Sequence, residues 1–203
     1  MRPKDIQIEY SALSQKISAY SVRWASKCLA KQGVTNVAEV GCGRLRNLSV
    51  LREYFETVDL VETNNQIKKI RDLVPESNAV NLLSNEEFEK QNTKYDAIFL
   101  ISVLHTLPYK IDRAKILQVC ESNLNNGGIL VLDVPQSENY YNRRRSTSRK
   151  FNDVWLIRHG DRYSFYKSYF RAELNNFVRD STTLELVTPT FYSKYLISLW
   201  RCP

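Results

Sequence analysis

Between Tyr10 and Lys31 apolar residues recur at Leu13, Ile17, Tyr20, Trp24 and Cys28, in steps of four, three, four and four. That spacing predicts one face of an amphipathic helix, with Ser11 as its N-cap and Gly33 as its stop. Asn36 to Val40 then reads as a short apolar strand running into the turn Gly41-Cys42-Gly43. A helix over about 47–55 places Leu48, Leu51 and Phe55 on its buried side, and Val58 to Val61 is a second strand ending at Glu62. Ile67, Ile70 and Val74 stripe the next helix, which Pro75 stops. A third strand is expected near Ala79 to Leu82, followed by a polar helix from Ser84 to Lys90.

Tyr95 to Leu104 is the clearest buried strand. The helix Asp112 to Leu124 turns Ile116, Leu117, Cys120 and Leu124 inward, and Ile129 to Val134 is a fifth strand that Pro135 ends. Strands alternating with helices, several of them apolar on both faces, predict a parallel sheet covered on both sides. Beyond Pro135 the pattern changes. A polar, basic stretch leads to a strand over 151–158, a turn at His159-Gly160-Asp161 and a return over Arg162 to Tyr166. A helix from Tyr169 to Arg179 and two β-rich runs, Leu184 to Thr188 and Phe191 to Trp200, complete the chain, the runs paired antiparallel. The organisation expected is a single domain over 1–203: an N-terminal helical segment (1–35), a core (36–135), a basic loop with a hairpin insertion (136–168), and a C-terminal helix with a strand pair (169–203).

At 203 residues the chain suits one sizeable core. No signal-peptide pattern opens it, and no apolar run approaches the ~20 residues of a membrane span. Cys28, Cys42, Cys120 and Cys202 are scattered without a CxxC pair, which argues against a zinc site or a disulfide framework and for a reducing, cytoplasmic setting. With only His105 and His159 as histidines, no metal centre is expected. The net charge of +7 is compatible with an anionic partner without requiring one.

The chemistry concentrates in Glu39-Val40-Gly41-Cys42-Gly43-Arg44-Leu45-Arg46-Asn47. A strand entering a glycine turn that opens a helix is the geometry for a nucleotide-like ligand at a sheet edge, since glycine lets the backbone approach closely. Glu62, about twenty residues on, stands where an acid can accept from both ribose hydroxyls. A dinucleotide fingerprint needs a glycine where Arg46 stands, and the Glu39 carboxylate repels a pyrophosphate while suiting an ammonium and a sulfonium.

With these residues the chain resembles the class I S-adenosylmethionine-dependent methyltransferases, whose first motif runs acid-x-Gly-x-Gly-x-Gly. Glu39, Gly41 and Gly43 match it, while Leu45 replaces the third glycine. Glu62 matches the ribose-binding acid, and Asn81 the Asp or Asn near the adenine. The stretches 95–107 and 126–132 resemble the fourth and fifth strands, so the resemblance covers roughly 37–134. It implies a Rossmann-like α/β fold: a seven-stranded, mostly parallel sheet with helices on both faces and an antiparallel last strand. It also implies S-adenosylmethionine as cofactor, an N-terminal helix packed over it, and Arg23 paired with the methionine carboxylate. The implied cofactor site comprises Arg23, Glu39, Gly41, Cys42, Gly43, Glu62, Thr63, Asn81, Leu82 and Ser102.

Methyl transfer is an in-line displacement, so the protein's work is alignment and, where needed, proton removal. His105, after the fourth strand, is either the base or a hydrogen-bonded pocket wall. Cys42 is read as a small residue with its backbone toward the cofactor, Asp133 as facing the acceptor or capping a turn, and His159 as a turn residue. The run Arg143 to Lys150 is a solvated loop or an anchor for an anionic acceptor, and adjacent Tyr140 and Tyr141 leave nucleic acid open through phosphate contacts and stacking. The leading acceptor is a small molecule, because Ile101-Ser102-Val103-Leu104-His105 lacks the polar-Pro-Pro-aromatic tetrad of amino-methylating DNA enzymes. The alternatives are an RNA or protein methyltransferase, and a non-catalytic protein that keeps the fold.

Overall fold

The computed structural model describes residues 19–136, 149–159, 162–192 and 195–203. The first helix, α1 (Tyr20–Ala30), leads to β1 (Asn36–Val40), α2 (Leu48–Tyr54), β2 (Thr57–Glu62) and α3 (Asn64–Ile70). The chain continues through β3 (Val80–Ser84), α4 (Asn85–Lys90), β4 (Tyr95–Ile101), α5 (Lys110–Ser122) and β5 (Leu124–Pro135). Three short strands follow, β6 (Arg149–Phe151), β7 (Val154–His159) and β8 (Arg162–Tyr166), then α6 (Arg171–Ser181), β9 (Glu185–Tyr192) and β10 (Tyr195–Arg201).

Seven strands form one sheet in the order β3-β2-β1-β4-β5-β10-β9. The pairs β1–β2, β2–β3, β1–β4 and β4–β5 are parallel, and β10 runs antiparallel to both β5 and β9. The last strand is therefore the reversed one, as the resemblance implies, and it lies between β5 and β9. Strand order reverses between β1 and β4, which opens a crevice at their C-terminal ends. No described helix is long and apolar enough to cross a membrane.

Alternation along the strands splits the core. Ala38, Val40, Ile98, Leu100, Leu130, Leu132 and Val134 face Phe88 of α4, Leu117 and Cys120 of α5, and Leu174 and Phe177 of α6. Val37, Ala97, Phe99, Ile129 and Val131 face the other layer, Val22, Ala25 and Leu29 of α1, Leu48 and Leu51 of α2, and Ile70 of α3. By parity Glu39, Ile101 and Asp133 lie on this second side, under α1 and α2, at the C-terminal edge.

Three expectations are corrected here. The helix expected from Tyr10 is described only from Tyr20, its Ser11 cap lying outside the described residues, and its buried stripe is Ser21, Val22, Ala25, Ser26 and Leu29. Tyr20 is 54% exposed and Trp24 and Cys28 are half-buried, because small residues let α1 lie close against α2 and β4. The third strand extends to Ser84, two residues further than expected, since Ser84 caps α4 through reciprocal bonds with Glu87. The strand expected over 151–158 is broken by a turn at Asn152-Asp153, with Asn152 in the left-handed region at φ 52°, giving a separate three-stranded sheet, β6-β7-β8.

Candidate active site

The crevice begins with the turn after β1. Gly41 and Cys42 each donate a backbone N–H to the Val61 carbonyl, at 2.9 and 3.3 Å, so the turn pivots on the end of β2. Gly41 has φ 76°, and a Cβ there would lie 2.3 Å from Val103 Cγ2, so only glycine fits without displacing the segment after β4. Gly43 donates its N–H to Glu62 Oε1 at 3.1 Å, and Gln66 Nε2 donates to the Gly43 carbonyl at 2.8 Å. Leu45, at the place of the family's third glycine, keeps the left-handed backbone at φ 63°, and its side chain packs into the α1/α2 core. The turn shape therefore survives the substitution, at a cost of about 1–2 kcal/mol.

Glu62 accepts from Gly43 and, through Oε2, from the Thr63 N–H at 2.7 Å. Burial raises its pKa, and the backbone donors of Thr63 and Gly43 pull it back. The Thr63 hydroxyl is a third donor, and the carboxylate's four acceptor positions leave room for another. Thr63 is exposed, caps α3 by accepting from Gln66 N, and closes this end of the crevice.

Glu39 is 2% exposed. Its Oε1 accepts from Asn47 Nδ2 at 2.6 Å, while its Oε2 is buried without a partner among the described residues. Burial pushes its carboxyl up to about 7, against the pull of the Asn47 amide and the Arg46 charge, and Glu62 adds a smaller push. Both carboxylates also raise the buried Cys42 thiol, after burial itself, which makes it an unreactive neighbour with its thiol protonated.

Two further strand ends complete the crevice. Ser102, left-handed at φ 58°, donates its backbone N–H to the Asp133 carbonyl at 3.0 Å and its hydroxyl to Asp133 Oδ1 at 3.2 Å. Asp133 is 3% exposed, and burial pushes it up to about 6 against the Ser21 and Ser102 hydroxyls and the Arg46 charge. His105 sits in a single helical turn, Leu104–Thr106, its ring edge-on to Tyr166 with centroids 5.2 Å apart. Burial, and then Arg46, push its imidazole down to about 3, so it is neutral near pH 7, and its Nδ1 is buried without a partner among the described residues.

The structure thus gathers Glu39, Gly41, Cys42, Gly43, Glu62, Thr63, Ser102 and His105 at adjoining strand ends. Asn81 and Leu82 are not among them. Asn81 pairs with Asp59 near the start of β3, donating to Asp59 Oδ1 at 2.7 Å, and both residues line an open groove toward the opposite edge. The strand's C-terminal residue, level with Glu62, is Ser84. The Ser84-x-x-Glu87 capping box was the sequence signal for that boundary. Arg23 lies on the exposed side of α1. The cation whose charge reaches Glu39, Asp133 and His105 is Arg46, which sequence reading registered only as a missing glycine. Asn47 was also missed. Among the described residues no three potential ligands gather as a metal site.

The site is thus a buried Glu39 beside a glycine turn, Glu62 holding that turn from the next strand, and a neutral histidine after β4. A family model described as a methyltransferase domain matches residues 10–180. No curated protein matches the sequence. Among solved structures, the S-adenosylmethionine-bound amino pentose methyltransferase of calicheamicin biosynthesis from Micromonospora echinaspora is similar at 14% identity and TM-score 0.64, covering 90% of this chain and 92% of its own. The 1,6-didemethyltoxoflavin-N1-methyltransferase of Burkholderia thailandensis, with S-adenosylhomocysteine, gives 17% identity and TM-score 0.62 over 90% and 78%. The N-methyltransferase NodS of Bradyrhizobium japonicum, also with S-adenosylhomocysteine, gives 14% and 0.61 over 89% and 85%. The chain belongs to the methyltransferase-domain family, on the class I fold of the S-adenosylmethionine-dependent methyltransferases.

Proposed function

We propose that the chain transfers a methyl group from S-adenosylmethionine to a small-molecule acceptor carrying an N–H or O–H at the reacting atom. The observation that carries this reading is the pair Glu39 and Glu62. Glu62 presents a remaining acceptor position to a ribose diol, and Glu39 presents a buried Oε2, without a partner among the described residues, suited to an ammonium group. The residues present fit the cofactor: the crevice is acidic where the cofactor is cationic, and the glycine turn leaves backbone in reach of the ligand. When bound, the cofactor supplies an electrophilic methyl carbon on a sulfonium.

The chain's own residues do the rest. Glu39 ionises and holds the ammonium, Glu62 fixes the ribose, and the segment Ser102 to His105 walls the acceptor side. A neutral imidazole pushed down to about 3 holds a proton too weakly to serve as a lasting base. His105 Nδ1 instead accepts a hydrogen bond from the acceptor and orients its lone pair toward the methyl, leaving the proton to pass to solvent after transfer.

The strand-end sequence Ile101 to His105 and the similarity to methyltransferases of an amino pentose and of 1,6-didemethyltoxoflavin support a small acceptor. The alternative of an RNA or protein substrate rests on the basic loop, of which residues 143–148, with Tyr140 and Tyr141, lie outside the described residues. Calorimetry with S-adenosylmethionine and S-adenosylhomocysteine, followed by turnover against panels of small amines and phenols, RNA and protein, tests the reading. Binding with turnover only on small acceptors is expected. Failure to bind either adenosyl compound, or turnover confined to a macromolecule, overturns it.

A further inference from the structure

Asn47 occupies the N-cap of α2, a position where an asparagine side chain ordinarily accepts from the helix's own first amides. Here it makes no cap bond. The side chain is 1% exposed and committed elsewhere on both of its ends. Its Nδ2 donates to Glu39 Oε1 at 2.6 Å, and its Oδ1 accepts from the Ala19 backbone N–H at 2.9 Å. Ala19 is the N-cap of α1. One amide therefore ties the start of the covering helix to the acid at the end of β1, while the other oxygen of that acid is buried and has no partner among the described residues.

We propose that Asn47 is a positioning residue for cofactor binding, occupying one oxygen of Glu39 so that the other is turned to the ammonium, and joining that contact to the seating of α1. The inference rests on the reading that the cofactor occupies this crevice. A side-chain amide suits the task because it is donor and acceptor at once and carries no charge of its own. An aspartate keeps the acceptor for Ala19 but sets a second carboxylate against Glu39, and an alanine removes both contacts and leaves Oε1 desolvated without a donor.

Among the described residues, the groups that act on Glu39 are few. Arg46, beside Asn47, favours its ionised form. Glu62 on β2 disfavours it, Cys42 in the turn is a protonated thiol, and α1 contributes the uncharged Ser21 and Ser26. Asp133 and His105 couple to it through the shared Arg46. With its carboxyl at about 7, Glu39 is mostly protonated at pH 6 and ionised at pH 8. The wild-type affinity for S-adenosylhomocysteine, whose ammonium is constant over this range, should rise about tenfold between these pH values, with proton release at the lower one.

The test is calorimetry of the full chain with S-adenosylhomocysteine at pH 6, 7, 8 and 9, in buffers of differing ionisation enthalpy. Hydrogen exchange at the Ala19 amide is followed alongside. Asn47→Asp and Asn47→Ala should both move the midpoint of the affinity profile upward by one pH unit or more. The Ala19 amide should stay protected in Asn47→Asp and lose protection in Asn47→Ala. In a Glu39→Gln background the midpoint should vanish and neither change should restore it. A uniform loss of affinity at every pH, or wild-type profiles in both variants, overturns the proposal. Because Asn47→Asp keeps the Ala19 contact, it serves if Asn47→Ala does not fold. Failure of the wild-type chain to bind S-adenosylhomocysteine defeats the cofactor reading, whereas binding with unshifted variant profiles defeats only the role of Asn47.

Discussion

Gly41 concentrates two constraints in one atom's absence. Its φ of 76° is strained for any L-residue, and its missing Cβ is the space that Val103 Cγ2 fills. Gly41→Ala should cost about 2–4 kcal/mol in urea unfolding, and adding Val103→Ala should recover only the steric share, leaving the backbone share behind. Glu39 yields a pH prediction. Its folded carboxyl is raised from 4.5 to about 7, so the folded chain holds a proton that the unfolded chain has released. That contribution to stability is full below the unfolded value and disappears as pH climbs through about 7. The stability of Glu39→Gln relative to wild type, without ligand, should therefore improve by up to about 3 kcal/mol between pH 4.5 and 7.5. His105 titrates in the opposite sense at lower pH and cancels in this difference. Glu39, the glycines and Glu62 were legible in the sequence because their spacing falls within one strand–turn–helix–strand unit. Arg46 and Asn47 were not, because their roles arise from which strand ends the fold brings alongside them.

Among the elements, the small sheet β6-β7-β8 is held to the core by buried charge. Arg113 of α5, 1% exposed, donates to the Leu107 and Pro108 carbonyls and to Asp153 Oδ2 at 2.5 Å. Lys167, with its side chain 10% exposed, reaches Asp153 at 3.4 Å and Glu173 of α6 at 2.6 Å, and its backbone N–H donates to the His105 carbonyl. Positive and negative charges balance across α5, the β6–β7 turn and α6, so removing one member strands the others. Arg113→Met should lose about 1–3 kcal/mol, chiefly through the Leu107 and Pro108 carbonyls left without a donor, and loosen the small sheet toward protease. Asp153→Asn, which leaves the buried Arg113 guanidinium without its carboxylate, should lose more by both measures. The sequence pattern located a hairpin here but not its inner turn, because Asn152-Asp153 lies inside an otherwise strand-like run. The face of α1 was misread for a related reason: the aromatic spacing was helical, yet close packing selected the small side chains.

At the scale of the whole molecule, the alternation of apolar strands and helices predicted the parallel sheet, the resemblance implied its seven strands and reversed last one, and the order β3-β2-β1-β4-β5-β10-β9 came only from the structure. A ligand that binds only the folded state stabilises it in proportion to its occupancy. S-adenosylhomocysteine at a hundred times its Kd should add about 2.7 kcal/mol and raise Tm by roughly 5–10 °C in calorimetric scans. Glu62→Ala should abolish most of that shift.

The placement of β10 also bears on biosynthesis. Residues 195–201 are translated after every other strand, yet they occupy a slot between two strands made earlier. Until they emerge from the ribosome, β5 has an unsatisfied rim of amides and carbonyls, open to the wrong chain. A nascent polypeptide ending before residue 195 should therefore cling to holdase chaperones, and release should coincide with arrival of the buried Trp200.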